Sequence, residues 1–454
     1  MAKTFVLDSS VLLHSADSIL SFEENYVIIP EAVIEEINSF RKDKGDLGEN
    51  ARKAGAMIDN LRLEGKLSDG VLLPNGGVFK VELNHLNQNL PARWNPMEFD
   101  NRVLQVCLAL KENTNDLYLI TKDVFTRIKA DILGIPTQDF KHDLSPELCD
   151  QYQGRIEVFA ASSDIDEFFC KGHLDSEKVK IYKDEQLFTP NLFVNQFVLM
   201  KAMNNLNQSA LGIFEKDGIK PLRHLKQSPF GVNARNVGQK FYQEALLRPA
   251  EEFPLVICKG PAGTAKTFYS LAVGLEKVLS THEYRKILVC RPNVTMDETL
   301  GFLPGTEADK LSPLMRGVND NLEILVDSDE KLRYKSELAL RDKVEELYAR
   351  KTISVEAVAY LRGRSITKQW IIIDEAQNLT PNQAKGIITR AGNDSKIIMV
   401  GDPTQIDHPF LNSRSNGLCY SSEKMKGSPI CCQISLSEME CERSPLAMEA
   451  AKRM

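Results

Sequence analysis

The chain has 454 residues, 43% of them hydrophobic, 26% charged and 7% aromatic. That is enough for two or three domains, since single cores stop growing near roughly 250 to 300 residues, and it excludes wholesale disorder, a collagen repeat and a long coiled coil. A net charge of −7 excludes a surface coated with nucleic acid all over and confines any such site to a patch on an acidic body.

The amino terminus, MAKTFVLDSSVLLHS, carries one Lys before an apolar stretch that Asp8 interrupts, so no secretion signal is expected. No apolar run approaches the roughly 18 residues of a membrane helix. The nine cysteines are odd in number and contain no CxxC pair, which reads as reduced thiols in a cytoplasmic protein.

The first stretch alternates strand and helix periods. Thr4–Leu7, Tyr26–Ile29 and Leu117–Thr121 are apolar strand runs, with helical patterns at Glu31–Phe40, Gly48–Glu64 and Glu98–Lys111 between them. This order predicts a small parallel α/β sheet over residues 1–142. Residues 143–228 change to short strand candidates, Ile156–Ala160, Val179–Tyr182, Phe193–Met200 and Leu211–Glu215, separated by polar turns: a β-rich connector. The α/β rhythm returns over 229–454, where Leu255–Lys259, Ile287–Cys290, Trp370–Asp374 and Ile397–Gly401 each read as a buried strand leading into a loop and helix.

LVICKGPAGTAKTFYSLAVGL is a strand, a Gly-rich turn and an amphipathic helix. Successive backbone N–H groups and the helix start can then converge on one phosphate, as a P-loop requires. The turn comprises Gly260, Pro261, Ala262, Gly263, Thr264 and Ala265, with Lys266 placed to reach the β and γ phosphates of ATP and Thr267 to hold magnesium. Ala265 replaces the second Gly of the usual pattern; if that position needs positive φ, Ala costs roughly 1 kcal/mol or more. In WIIIDEAQNLTP, Asp374 and Glu375 end a strand and suit a magnesium-holding acid and a water-positioning base. Gln405, in KIIMVGDPTQID, can reach from its loop toward the γ-phosphate.

DEAQ with VGDPTQ resembles the nucleotide site of superfamily 1 helicases, which implies a nucleic-acid motor. Only 49 residues follow Gln405, too few for the second motor domain of that plan, so a neighbouring subunit of a homo-oligomer, such as a hexameric ring, is expected to complete the site. YLRGRSITKQWIIIDEAQN, RPNVTMDETLGFLPG and ERSPL resemble the PhoH family of P-loop ATPases across Ala234–Met454. The fold implied is RecA-like. Among Arg291, Arg362, Arg364 and Arg443, the arginine finger is assigned first to Arg443 and second to Arg364. Asn236 and Gln239 resemble adenine-recognising amides, with a helix-turn role the equal alternative.

Four acids stand at strand ends or helix starts in the first domain: Asp8, Glu36, Asp100 and Asp123. Carboxylates brought together repel unless a divalent cation lies between them, and magnesium or manganese suits all-oxygen ligation. FVLDSSVLL, VIIPEAVIEEINSF, EFDNRVLQVCLAL and LYLITKDVFTRIKADILGI resemble the PIN nuclease family over Thr4–Phe140. The resemblance places that family's acids on these four residues, with Glu35 the open alternative to Glu36, and implies metal-dependent cleavage of single-stranded RNA. Lys122 and Arg127 can meet substrate phosphate or simply form salt bridges. Lys216, Lys220, Arg223, His224, Lys226 and Arg235, interleaved with Phe214 and Phe230, form a candidate strand-tracking stripe in the connector. The whole reads as an ATP-dependent RNA-processing enzyme.

Overall fold

A computed structural model describes residues 2–22, 24–43, 46–114, 116–140, 145–183, 186–205, 207–292, 307–327, 337–361, 366–408 and 411–442. The chain divides into two compact units, Met1–Asp143 and Leu144–Met454.

The first unit contains strands β1 (Thr4–Leu7), β2 (Tyr26–Pro30), β3 (Val71–Leu72), β4 (Val78–Glu82), β5 (Leu117–Ile120) and β6 (Thr137–Gln138), with helices α1 (Ser9–His14), α2 (Glu31–Phe40), α3 (Asp46–Glu64), α4 (Phe99–Lys111) and α5 (Val124–Ile132). The strand order is β3-β4-β2-β1-β5-β6, parallel apart from the β3–β4 pair. β1 is central, and its two neighbours come from opposite ends of the unit's sequence, which places a switch point at its carboxyl end. Such a point is where a parallel sheet opens a crevice. Val6, Leu7, Val27, Ile29, Leu119 and Ile120 bury their side chains in one core with Val33, Val103 and Leu104 of the covering helices.

The second unit opens with the expected β-rich segment: β7 (Arg155–Ala160), α6 (Ser162–Lys171), the hairpin β8 (Ile181–Lys183) and β9 (Gln186–Phe188), then β10 (Phe197–Ala202), β11 (Ser209–Glu215) and β12 (Gly218–Pro221). A four-stranded sheet, β12-β11-β10-β7, carries its own small core around Val158, Phe168 and Met200. The segment is nevertheless anchored to the α/β portion of the same unit. Phe197 stacks on Phe241 at 4.7 Å, and Asn195 Nδ2 donates to the carbonyls of Ser428, Pro429 and Cys431.

The remainder comprises α7 (Val237–Leu247), β13 (Leu255–Lys259), α8 (Lys266–Leu275), β14 (Ile287–Arg291), α9 (Glu307–Asp327), α10 (Glu337–Ala349), β15 (Ile353–Ala357), β16 (Trp370–Ile373), α11 (Pro381–Ile388), β17 (Lys396–Gly401), α12 (Gly417–Lys424) and β18 (Cys431–Ser435). All six strands run parallel in the order β15-β14-β16-β17-β13-β18. β13, β16 and β17 are buried along their whole length, as helices on both faces of a parallel sheet require. β17 lies between β13 and β16, so the loops after all three strands meet at one end.

Candidate active sites

In the second unit, the P-loop follows β13, and its turn is held by backbone conformations that favour glycine. Gly263 has φ +86° and Ala265 φ +63°, so the Ala that departs from the usual pattern does sit in the left-handed region. Glu375 is also left-handed, at φ +54°. Lys266 turns back onto its own loop, donating to the carbonyls of Gly260 (2.6 Å) and Pro261 (2.9 Å). Burial draws its pKa below the ordinary lysine value, and the carboxylates of Asp402, Glu375 and Asp374 pull the other way.

Thr267 Oγ1 donates to Asp374 Oδ1 at 2.7 Å, tying the start of α8 to the end of β16. Arg291, which ends β14, donates through Nε to Asp374 Oδ2 at 2.9 Å. Asp374 is 3% exposed, so its buried charge is matched by donors from the start of α8 and the end of β14. Beside it, Glu375 Oε2 accepts from Gln377 Nε2 at 2.7 Å.

Gln377 is fully buried; it closes the DEAQ motif, but the sequence assigned it no role of its own. Its amide also donates to the Gln405 carbonyl (2.8 Å) and accepts from the Asp402 N–H (3.1 Å). Asp402 Oδ2 in turn accepts the Ala262 N–H of the P-loop at 3.1 Å. One chain of hydrogen bonds thus runs from the P-loop through the β17 loop to Glu375. The sequence signal for it is two polar residues, Gln377 and Asp402, lying just past buried strands. Gln405 joins this chain through its carbonyl, and the residue is exposed.

Asn236 caps α7, accepting from the Gln239 N–H at 2.9 Å, so its carbonyl is used by the helix. Gln239 is buried and its Oε1 accepts from the Arg235 N–H and the Tyr269 hydroxyl. Arg362, Arg364 and Arg443 lie outside the described residues.

In the first unit, Asp8 caps α1 and Asp123 caps α5. Asp8 Oδ2 accepts from the hydroxyls of Ser10 and Thr121, both at 2.6 Å. Thr121 Oγ1 also accepts the Asp123 N–H at 3.0 Å, so a hydroxyl just past β5 locks the two acid-bearing loops together. Burial raises the Asp8 carboxyl above its ordinary pKa, and the charge of Asp100 adds to the rise against the hydrogen bonds from Ser10, Thr121 and Ser9. Glu36 is raised likewise, by burial first and then by the charges of Asp8, Asp100 and Asp123, while a hydrogen bond with Ser9 opposes the rise. Glu36 therefore stands in the field of the other three acids, and Asp8 in that of Asp100.

Glu35 points elsewhere: it forms a two-pronged ion pair with Arg102 at 2.6 and 3.0 Å. Asp100 is approached by Lys129 at 3.4 Å. All-oxygen carboxylates that repel one another are the donor chemistry a hard divalent cation fits. Each is meanwhile turned toward a protein partner, and among the described residues no three His, Cys, Asp or Glu side chains stand close enough to hold an ion.

The connector stripe is not a free basic face. Lys220 pairs with Glu215 and Asp217, Arg223 with Glu252, and Arg235 with Glu442. Phe214 and Phe230 pack against hydrophobic cores. Arg127 pairs with Asp139 at 3.5 Å. Among the described residues no helix is long and apolar enough to cross a membrane.

Together the two sites define a P-loop nucleotide-binding unit preceded by a PIN unit. Family models agree: residues 231–454 match the PhoH-like protein model and residues 5–141 the PIN domain model. The chain is 39% identical to Protein PhoH2 of Bacillus subtilis, covering 99% of both chains. It is 31% identical to Protein PhoH2 of Thermobispora bispora, over 98% of this chain and 95% of the relative, and 30% identical to that of Mycolicibacterium smegmatis with the same coverage. The chain belongs to the PhoH2 family, in which a PIN domain precedes a PhoH domain.

Proposed function

We propose that this protein is an ATP-driven RNA-processing enzyme whose PhoH unit hydrolyses ATP to move or unwind a single strand and whose PIN unit cleaves it. The observation that carries the reading is the pairing of two constellations in one chain: Thr267 bonded to Asp374, with Glu375 beside it, at the carboxyl end of the parallel sheet, and Glu36 under the combined charge of Asp8, Asp100 and Asp123.

At the nucleotide site, Lys266 leaves the Gly260 and Pro261 carbonyls for the β and γ phosphates, and the N–H groups of the loop and the start of α8 donate to the phosphate oxygens. Thr267 and Asp374 are the residues that would hold magnesium, which supplies charge neutralisation between the phosphates. Glu375 takes the proton of the attacking water, and Gln377 fixes its carboxylate. Because Gln377 also holds the Gln405 carbonyl and the Asp402 N–H, loss of the γ-phosphate is transmitted to the β17 loop, the step a motor needs. Arg443 of a neighbouring copy supplies the finger, so the working form is a homo-oligomer, a ring such as a hexamer.

At the PIN site, Asp8, Glu36, Asp100 and Asp123 would hold magnesium or manganese, which lowers the pKa of bound water and steadies the phosphodiester oxygens. Ser10 and Thr121 keep Asp8 oriented, and Lys129 releases Asp100. The test is cleavage of labelled RNA by wild type, Lys266→Ala and Asp8→Asn in parallel. Loss with both variants couples motor to nuclease. Cleavage that survives Asp8→Asn overturns the site assignment and favours a PIN unit that only docks, leaving the acids on the protein partners they hold here.

A further inference from the structure

Arg291 holds the carboxylate that the nucleotide site needs for its metal. Nε and Nη2 both donate to Asp374 Oδ2, at 2.9 and 2.5 Å, while the opposite oxygen is taken by Thr267 at 2.7 Å. The arginine side chain is itself 18% exposed and the carboxylate 4%, so this is an ion pair largely removed from water, where one partner left alone is costly. Helix α9 closes over it. A Cβ at Gly317 would stand 3.0 Å from Nη2 and 3.4 Å from Nη1, so the missing side chain at that position admits the guanidinium.

A divalent cation on Thr267 and Asp374 would meet a second positive charge on the same carboxylate. In a partly buried site that repulsion is weakly screened, so the two cations compete. We infer that Arg291 is the resident counter-ion of the nucleotide-free site: it holds Asp374 in register until the metal–nucleotide complex displaces it, and thereby sets how much metal the site demands. This rests on the reading of Thr267 and Asp374 as the metal-holding pair. Arg291 acts through Asp374 and is a positioning residue. It differs in this from a finger arginine, which would touch phosphate and have no reason to tie up the metal carboxylate.

The test is a magnesium titration of the full-length protein at a fixed concentration of a fluorescent, non-hydrolysable ATP analogue. Arg291→Met keeps the volume and removes the charge, and should lower the magnesium concentration at half-binding by about tenfold. Arg291→Lys, which keeps the charge but not the fork, should fall between the two. Gly317→Ala favours the helix while pressing on the guanidinium, and should lower the midpoint by a smaller factor, about threefold; it carries the test should Arg291→Met fail to fold. In chelator without nucleotide, Arg291→Met should melt below wild type, because Asp374 loses its partner.

A midpoint in Arg291→Met or in Gly317→Ala equal to or above that of wild type overturns the inference alone, provided wild type binds the analogue and Lys266→Ala does not. A wild type that binds no analogue at any magnesium concentration overturns the nucleotide-site reading and this inference with it.

Discussion

The two sites carry their energetic cost in different forms. In the PIN unit the cost is charge: Asp8 and Glu36 are raised above their ordinary pKa by burial and by neighbouring acids, yet among the described residues no non-glycine backbone of that unit adopts positive φ. In the PhoH unit the cost is backbone. Ala265 and Glu375 both occupy the left-handed region, while the site's charges are already matched, Lys266 by loop carbonyls, Asp374 by Arg291 and Thr267, and Asp402 by the Ala262 N–H. Strained backbone at a functional site costs on the order of 1 to 3 kcal/mol per residue and persists only when its surroundings impose it. Asp8 is held by neutral hydroxyl and N–H donors, whereas Asp374 of the nucleotide site is already paired with a cation.

That contrast predicts the largest effects. Glu375→Gln should lower ATP turnover by about 100-fold or more while analogue binding is retained, since the residue acts on water and not on the phosphate cradle. Asp8→Asn should lower RNA cleavage by a comparable factor and leave RNA-independent ATP turnover within about twofold. Equal loss of both activities in Asp8→Asn would erase the distinction between the sites.

Glu35 and Glu36 sharpen the same comparison within one helix. Glu36→Gln should reduce cleavage strongly, because it removes one of four mutually repelling carboxylates. Glu35→Gln should leave cleavage close to wild type and affect only the ion pair with Arg102. The reverse order in a cleavage assay would show that the cluster is built from the other face of α2.

Much of this is legible in the sequence, and the residues that are not share a reason. β1, β5 and β13 fall within a residue of the runs read from period and apolarity, because a buried parallel strand declares itself by an uninterrupted apolar stretch. Asp8, Asp123 and the P-loop stand out because each sits just past such a stretch, at the ends of β1, β5 and β13; Glu36 and Asp100 lie on helices, and only the family resemblance singles them out. β4, β15 and β18 escape: VFKVE and ISVEA alternate with charged residues, and CCQIS is short and carries a polar residue that its neighbours satisfy, Gln433 bonding Ser422. The roles of Gln377, Asp402 and Thr121 escape because they exist only as pairings between loops separated in sequence; Thr121 is 113 residues from Asp8. Choosing between Glu35 and Glu36 takes the position of Arg102, which helix phase does not supply.

Metal and pH should act on the PIN unit with a definite sign. A carboxyl whose folded pKa lies above its unfolded value binds protons more tightly when folded, so stability falls as pH rises through the window that starts near the ordinary values of 3.8 for Asp8 and 4.5 for Glu36. Above that window the cost of burying the charged carboxylates, with their repulsion added, is fully present. Magnesium or manganese at neutral pH should therefore raise the melting temperature, and the gain should shrink as pH falls toward the ordinary carboxylate range. Asp8→Asn should raise the metal-free melting temperature and reduce the gain from metal. A gain independent of pH, or unchanged in Asp8→Asn, would mean that the cation stabilises the protein elsewhere.

The smallest effect tests the backbone side of the comparison. Ala265 opens α8 at φ +63° with no side-chain cap, a conformation that costs an L-residue with a Cβ roughly 1 to 2 kcal/mol. Ala265→Gly removes that cost and returns part of it as greater freedom of the unfolded chain, for a net stabilisation of about 1 kcal/mol. In a unit of this size that amounts to about 2 °C in the melting temperature of the nucleotide-free protein. ATP turnover should change little, because the phosphate is met by N–H groups that glycine also has. An unchanged or lower melting temperature would mean that the Ala265 methyl, which packs against the hydrophobic core beside α8, contributes as much as its backbone costs, and that the strain at this turn is compensated locally.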